Sequence, residues 1–294
     1  MTQGKSCDGC NVTSCSASDR RQGETDDQFQ ERQELMSKLC RIKHKIIVLS
    51  GKGGVGKSTV ASNLALSLAA KGRKTGLMDV DIHGPSIPRI LGLEGSPVEV
   101  FDGELVPVPL ADNLKVVSVG FLLKGTDEAV IWRGPMKMGM IKQFIRDVVW
   151  DDLDYLVVDC PPGTGDEPLS VIQLMEELDG AVIVTTPQDL AIIDVRRSIQ
   201  FCKTVNVPVL GVIENMSGFV CPHCGEKTDI FSTGGGEKMA AEMDVPFLGR
   251  IPIDPAIAKA SDEGKPYITT YSESETAKTM GAAIEPVIEK LENK

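Results

Sequence analysis

Ser50-Gly51-Lys52-Gly53-Gly54-Val55-Gly56-Lys57-Ser58-Thr59 combines pliable backbone, cations and hydroxyls, the means by which a chain holds phosphate. It joins a β-like apolar run to a helical one, the setting that a phosphate loop requires. Gly53, Gly54 and Gly56 let the backbone bend so that successive N–H groups converge on an anion. The helix starting near Ser58 adds its positive dipole end. In a loop running from Gly51 through Val55 to Thr59, Lys57 reaches the β- and γ-phosphates, the Ser58 hydroxyl ligates Mg²⁺ and Thr59 donates to the α-phosphate. The expected ligand is ATP with Mg²⁺.

Carboxylates stand where phosphoryl chemistry needs them. Asp159 ends the apolar run Tyr155 to Val158 and precedes Cys160-Pro161-Pro162-Gly163-Thr164-Gly165-Asp166. A carboxylate at that strand edge can hold the hydration shell of Mg²⁺, and the glycines after it allow a segment that senses the γ-phosphate. Asp79 and Asp81 close another strand, and residues two apart on an extended segment share a face. Asn215, at the end of a further apolar run, has an amide that can donate and accept at once, as pairing with an adenine edge demands; a satisfied turn asparagine is the alternative.

Cys221-Pro222-His223-Cys224 places two thiolates two residues apart. One such pair supplies half of a four-ligand site. If nucleotide holds two subunits face to face, symmetry brings two pairs together and completes Cys₄. Spacing alone leaves three options open: a bridging [4Fe–4S] cluster, tetrahedral Zn²⁺, or a redox dithiol. Cys160 and Cys202 lie in apolar surroundings and read as core residues.

These groups must be positioned by a scaffold, and the pattern of the chain describes one. From Lys45 onward short apolar strands alternate with helical stretches: Lys45–Leu49, Lys74–Val80, Leu114–Val119, Asp154–Val158, Ala181–Thr185, Val207–Ile213 and Phe247–Gly249 as strands, with helices over Ser58–Lys71, after Asp189, after Gly236 and over Ser274–Leu291. Such alternation predicts an α/β fold, a doubly wound, mostly parallel sheet with helices on both faces. Residues 1–43 read as a polar, cysteine-bearing tail followed by a helix over Asp26–Cys40, and residues 44–294 as the nucleotide-binding domain. The 294 residues are 41% hydrophobic and 25% charged, ordinary for a chain with a core. A formal charge of −11 argues against nucleic acid or an anionic membrane as partner. No apolar run is long enough to span a bilayer or serve as a signal peptide, so a cytosolic (cytoplasmic) protein is expected, in which eight cysteines form no disulfide framework.

The second lysine of the loop, Lys52, resembles that of the deviant Walker A class, which includes the ParA/MinD ATPases and nitrogenase iron protein. The class implies that the early lysine crosses a homodimer interface to touch the partner's nucleotide; an exposed lysine beside phosphates is the bland alternative. The whole ordered set is similar to the Mrp family of iron–sulfur cluster carriers over nearly all of residues 44–294. It comprises the loop at Gly51, Asp81-Ile82-His83-Gly84-Pro85-Ser86, Trp132-Arg133-Gly134-Pro135-Met136, Asp159 to Asp166, Glu214-Asn215-Met216-Ser217, Cys221 to Cys224 and Thr233-Gly234-Gly235-Gly236.

The resemblance implies an ATPase whose catalytic residues are Lys52, Lys57 and Asp81, with Asp81 orienting the attacking water and Asp79 structural or linked to Mg²⁺. Asn215, Pro252 and Asp254 are implied at the base, and Cys221 and Cys224 as ligands of a labile [4Fe–4S] cluster passed to apoproteins. Cys7, Cys10 and Cys15 read Cys-x-x-Cys-x₄-Cys. The eukaryotic branch carries a four-cysteine N-terminal site with a gap one residue longer, so a second cluster and an unliganded tail both stand. The rival function is a zinc-stabilised ATPase dimer acting as a MinD- or ParA-like switch. A membrane-binding version would want a basic amphipathic C-terminal helix, whereas the chain ends acidic and carries Pro286.

Overall fold

Along the strand Ile42–Ser50, Ile47 and Leu49 face one apolar cluster while Ile46 and Val48 face another. Burial on both sides is the signature of a sheet covered by helices on each face. A computed structural model describes residues 19–122, 134–221 and 223–293. Its elements begin with α1 (Asp26–Leu39), β1 (Ile42–Ser50), α2 (Lys57–Ala70), β2 (Thr75–Asp79), α3 (Ile87–Ile90), β3 (Glu99–Phe101) and β4 (Glu104–Val106). There follow β5 (Val108–Ala111), β6 (Leu114–Ser118), α4 (Gly134–Asp147), β7 (Leu153–Asp159), α5 (Asp166–Met175), β8 (Gly180–Thr185) and α6 (Asp189–Thr204). The chain closes with β9 (Val209–Val220), β10 (Lys227–Thr228), α7 (Gly235–Glu242), β11 (Phe247–Ile253), α8 (Pro255–Asp262), α9 (Tyr267–Thr270) and α10 (Glu275–Glu292).

Among the described residues the main sheet has nine strands in the order β10-β9-β8-β1-β7-β2-β6-β5, with β11 also paired to β9. The pairs β1–β7, β1–β8, β2–β6, β2–β7, β8–β9 and β9–β11 are parallel, and only β5 and β10 run against their neighbours. This is the doubly wound architecture that the alternation predicts. β1 sits between β7 and β8, so the loop leaving its carboxyl end opens into the crevice where such sheets bind ligands.

Each predicted strand is present, most within two residues of its expected ends. β9 departs: it continues seven residues past Ile213, out to Val220. The short pairs β3–β4 and β5 with β6 were not foreseen, because Pro107, Pro109 and exposed Val100 and Phe101 spoil the apolar pattern. The first helix is opened by a capping box between Thr25 and Gln28, and its Leu35, Met36 and Leu39 join the core beside α4. α1 therefore packs on the same core as the elements after residue 44. At the other end α10 keeps Pro286 within its length, and its stripe of Met280, Ile284, Val287, Ile288 and Leu291 is buried. That stripe is used inside the fold. Among the described residues no helix is long and apolar enough to cross a membrane.

Candidate functional site

α2 starts at Lys57 directly after Gly56, which has φ 85° and offers no side chain to cap the first turn; that turn holds no acidic residue. Its free N–H groups are what a phosphate would occupy. Gly56 is needed on a second count, because a Cβ there would run into the Asn215 amide. We expect Gly56→Ala to lose about 1–2 kcal/mol of stability from left-handed strain and to weaken ADP binding, measurable by thermal melting and calorimetry.

The Lys57 ammonium, 6% exposed, lies 2.6 Å from Asp159 Oδ1 and 3.4 Å from Asp81 Oδ2. Asp159 is wholly buried, and its other oxygen, Oδ2, has no full hydrogen bond among the described residues, although the Ser58 hydroxyl lies close enough to favour the charged form. An orphaned carboxylate oxygen beside a hydroxyl, at the mouth of a phosphate loop, is a donor set that fits Mg²⁺. The crevice in front of them has a volume of about 500 Å³ and is lined by Gly54, Lys57, Thr59, Asp81, Ser86 and Arg89 among others.

Asp79 stands behind this pair. Its Oδ1 accepts from the Asp81 N–H at 3.1 Å and its Oδ2 from Ser118 Oγ at 2.8 Å, so both oxygens are engaged in fixing the backbone before Asp81. Burial, and after it the Asp159 charge, raise its carboxyl to about 8. Burial raises Asp159 as well, but Lys57 opposes that, so Asp79 is the one that keeps a proton. An unfolded aspartate releases its proton near the ordinary value of 3.8, so the folded chain binds more protons above that pH. This contribution is therefore intact below the ordinary range and is lost as pH rises toward about 8. Melting of the nucleotide-free protein should fall across that window, and Asp79→Asn should flatten the dependence.

Asn215 is buried on β9, and its Nδ2 donates to the Val55 carbonyl of the phosphate loop at 2.9 Å. Pro252 lies in β11, while both oxygens of Asp254 are used inside the chain. Oδ1 caps the Ala256 N–H at 2.8 Å, and Oδ2 accepts from the Tyr267 hydroxyl at 2.6 Å. Lys52 is half-buried and its carbonyl is held by Ser50 Oγ at 3.0 Å. Among the described residues its ammonium has no ion-pair partner.

Cys221 and Cys224 sit at the head of the β9–β10 hairpin, where the Cys221 N–H donates to the Glu226 carbonyl at 2.9 Å and the Gly225 N–H to the Cys221 carbonyl at 2.8 Å. Cys221 is half-buried and Cys224 exposed. The backbone N–H of Cys224, then that of His223 and the Cys224 thiol, hold the Cys221 thiol below the ordinary range, which favours the metal-binding thiolate. Among the described residues no group of three or more His, Cys, Asp and Glu could hold a metal, so the pair stands alone among them. Cys160 and Cys202 are buried, with burial pushing both thiols up, Cys202 to about 12; they are inert core. Cys7, Cys10, Cys15, Trp132 and Arg133 lie outside the described residues.

The family model described as ParA, NUBPL iron-transfer P-loop NTPase, matches residues 41–288. The chain belongs to this family. As a P-loop NTPase it is a nucleotide-binding protein, and its loop, Asp159 and Asp81 stand at the carboxyl ends of strands, as in other doubly wound sheets. The chain is 47% identical over 265 residues to the iron-sulfur cluster carrier protein of Methanocaldococcus jannaschii, covering 90% of this chain and 91% of that one. It is 53% identical over 252 residues to a cytosolic Fe-S cluster assembly factor NUBP2 homolog of Trichoplax adhaerens, covering 84% and 95%. Among solved structures it resembles a nucleotide-binding protein of Archaeoglobus fulgidus in complex with ADP, with cobalt found in it, at TM-score 0.72 and 40% identity over 84% and 95% of the two chains.

Sequence reasoning missed several residues of this P-loop NTPase site. Ser118 orients Asp79 from the next strand, a pairing that only the sheet order reveals. Lys137 on α4 contacts His83 Nε2 at 2.7 Å and Glu167 at 3.2 Å, linking the loop after β2 to the first turn of α5. Outside the phosphate site, Glu214 is buried beside Asn215; the sequence shows it only as part of a motif, without a role.

Proposed function

We propose that the protein is an ATP-binding, slowly hydrolysing carrier that holds a [4Fe–4S] cluster between Cys221 and Cys224 of two copies and passes it to apoproteins. The observation that carries this reading is an accessible thiol pair, with the Cys221 thiol held below the ordinary range and no third ligand among the described residues. Two such pairs related by a two-fold axis make the four thiolates that the cluster takes. Exposed apolar side chains near the same end favour a second copy as the partner. Val220 and Ile230 flank the hairpin in sequence, and Leu190 and Ile193 stand on the first turns of α6, whose Asp194 packs against Gly51. The names of the two relatives, a cluster carrier and a cytosolic assembly factor, support both the cargo and a cytosolic setting.

In this reading Lys57 leaves its carboxylates for the β- and γ-phosphates, Ser58 and Asp159 hold Mg²⁺, and Lys52 reaches the nucleotide of the opposite subunit. Mg²⁺ supplies neutralisation of phosphate charge. Asp81 orients the water, and because it is paired with Lys57 in the resting chain, hydrolysis waits on rearrangement and is slow. Asn215 and the Pro252–Asp254 segment receive the base. The test is transfer. Protein loaded anaerobically should restore an apo-acceptor that needs a [4Fe–4S] cluster even when a chelator removes free iron; recovery that the chelator abolishes, or that free iron and sulfide match without the loaded protein, would refute it.

A further inference from the structure

Glu214 has no exposed surface, yet it belongs neither to the phosphate site nor to the thiol pair. Its carboxylate accepts from Ser217 Oγ at 2.5 Å, from the Gly236 N–H at 2.5 Å and from the Gly234 N–H at 3.0 Å, with Arg250 Nε at 3.3 Å. Ser217 is on the leg of β9 that runs out to Cys221, and Gly234 and Gly236 are on the stretch by which the chain comes back from the hairpin. One carboxylate thus ties both legs at their root. The glycines serve this contact, since a Cβ at Gly236 would come within 2.8 Å of Glu214 Oε2.

Between Asn215 and Cys221 the strand does not run straight. Met216 and Gly218 have φ of 58° and 81°, a left-handed interruption that by itself would let the hairpin swing. Glu214 bonds across it. Successive residues of a strand point to opposite faces. Glu214 accordingly grips the returning segment while its neighbour Asn215 grips Val55 of the phosphate loop. A change at the loop and the angle of the thiols therefore meet at one dipeptide.

We propose that Glu214 is the positioning residue that carries the state of the nucleotide site to Cys221 and Cys224, by setting the hairpin's angle at the Met216–Gly218 hinge. The inference deepens the carrier reading and rests on it for the purpose of the thiols, but its test needs no cluster. In the full-length reduced protein, alkylation of Cys221 and Cys224 by iodoacetamide is followed by mass spectrometry without nucleotide, with Mg·ADP and with a Mg-bound non-hydrolysable ATP analogue. Wild type should show rates that differ about fivefold between nucleotide states. Glu214→Gln, equal in size but uncharged, should bring that ratio close to one while nucleotide affinity stays within about threefold of wild type; a purely structural role would instead lower affinity and melting temperature together. Retention of the wild-type ratio in Glu214→Gln, or no nucleotide dependence in wild type, overturns the proposal. Should Glu214→Gln fail to fold, Ser217→Ala removes one donor and must reduce the ratio part of the way. Iron and sulfide analysis of the wild type judges the carrier reading separately, so either idea can fall without the other.

Discussion

Lys57→Met should abolish tight nucleotide binding and also destabilise the empty protein. The ammonium is the only cation 2.6 Å from the fully buried Asp159 among the described residues, so its loss leaves a carboxylate without a counter-charge inside the fold. Breaking such a pair costs about 3–5 kcal/mol, part of which the protein recovers by protonating the carboxyl. A lost charge-assisted contact to phosphate adds about a hundredfold in affinity. The two effects separate in a double variant. Lys57→Met with Asp159→Asn removes both charges and should regain most of the stability seen by chemical denaturation, but none of the nucleotide affinity seen by calorimetry. If the double variant binds ATP as wild type does, Lys57 is not the phosphate lysine.

The second large effect concerns cargo without concerning the nucleotide. Cys221→Ser or Cys224→Ser should each reduce iron and sulfide bound after anaerobic reconstitution by about tenfold or more, because a hydroxyl at neutral pH is not the thiolate that iron requires. The hairpin head stands outside the two apolar clusters, so stability should move by less than about 0.5 kcal/mol and ATP affinity by less than about twofold. Cys160→Ser is the internal control: it is buried, its thiol is pushed up, and it should lose stability while keeping the cluster. A Cys221→Ser protein that retains full iron would remove this pair from the ligand set.

Much of this arrangement can be read from the chain before any coordinates, and the reason is physical. A phosphate loop is a local device: glycines, lysine and hydroxyl act within ten residues, and the flanking strand and helix announce themselves by period. Strands buried on both faces, such as Ile46–Leu49, give continuous apolar runs, so the parallel sheet was also visible. What sequence does not carry is the pairing of distant segments. Ser118 reaching Asp79, Asn215 reaching Val55, and the resting grip of Asp159 on Lys57 all depend on strand order. The extension of β9 through Met216 and Gly218 was hidden because left-handed residues and glycine ordinarily end a strand. Asp254 shows the opposite hazard: a residue singled out for ligand chemistry has both oxygens committed to a helix cap and a tyrosine.

The central claim is that two chains, each with an incomplete thiol pair, close on a single cluster. Native mass spectrometry of the anaerobically reconstituted protein with a Mg-bound ATP analogue addresses it directly. The account predicts one species of two chains carrying about four irons and four sulfides, absent from Cys221→Ser. Iron on single chains that Cys221→Ser removes, or zinc in place of iron and sulfide on the pair, would contradict it.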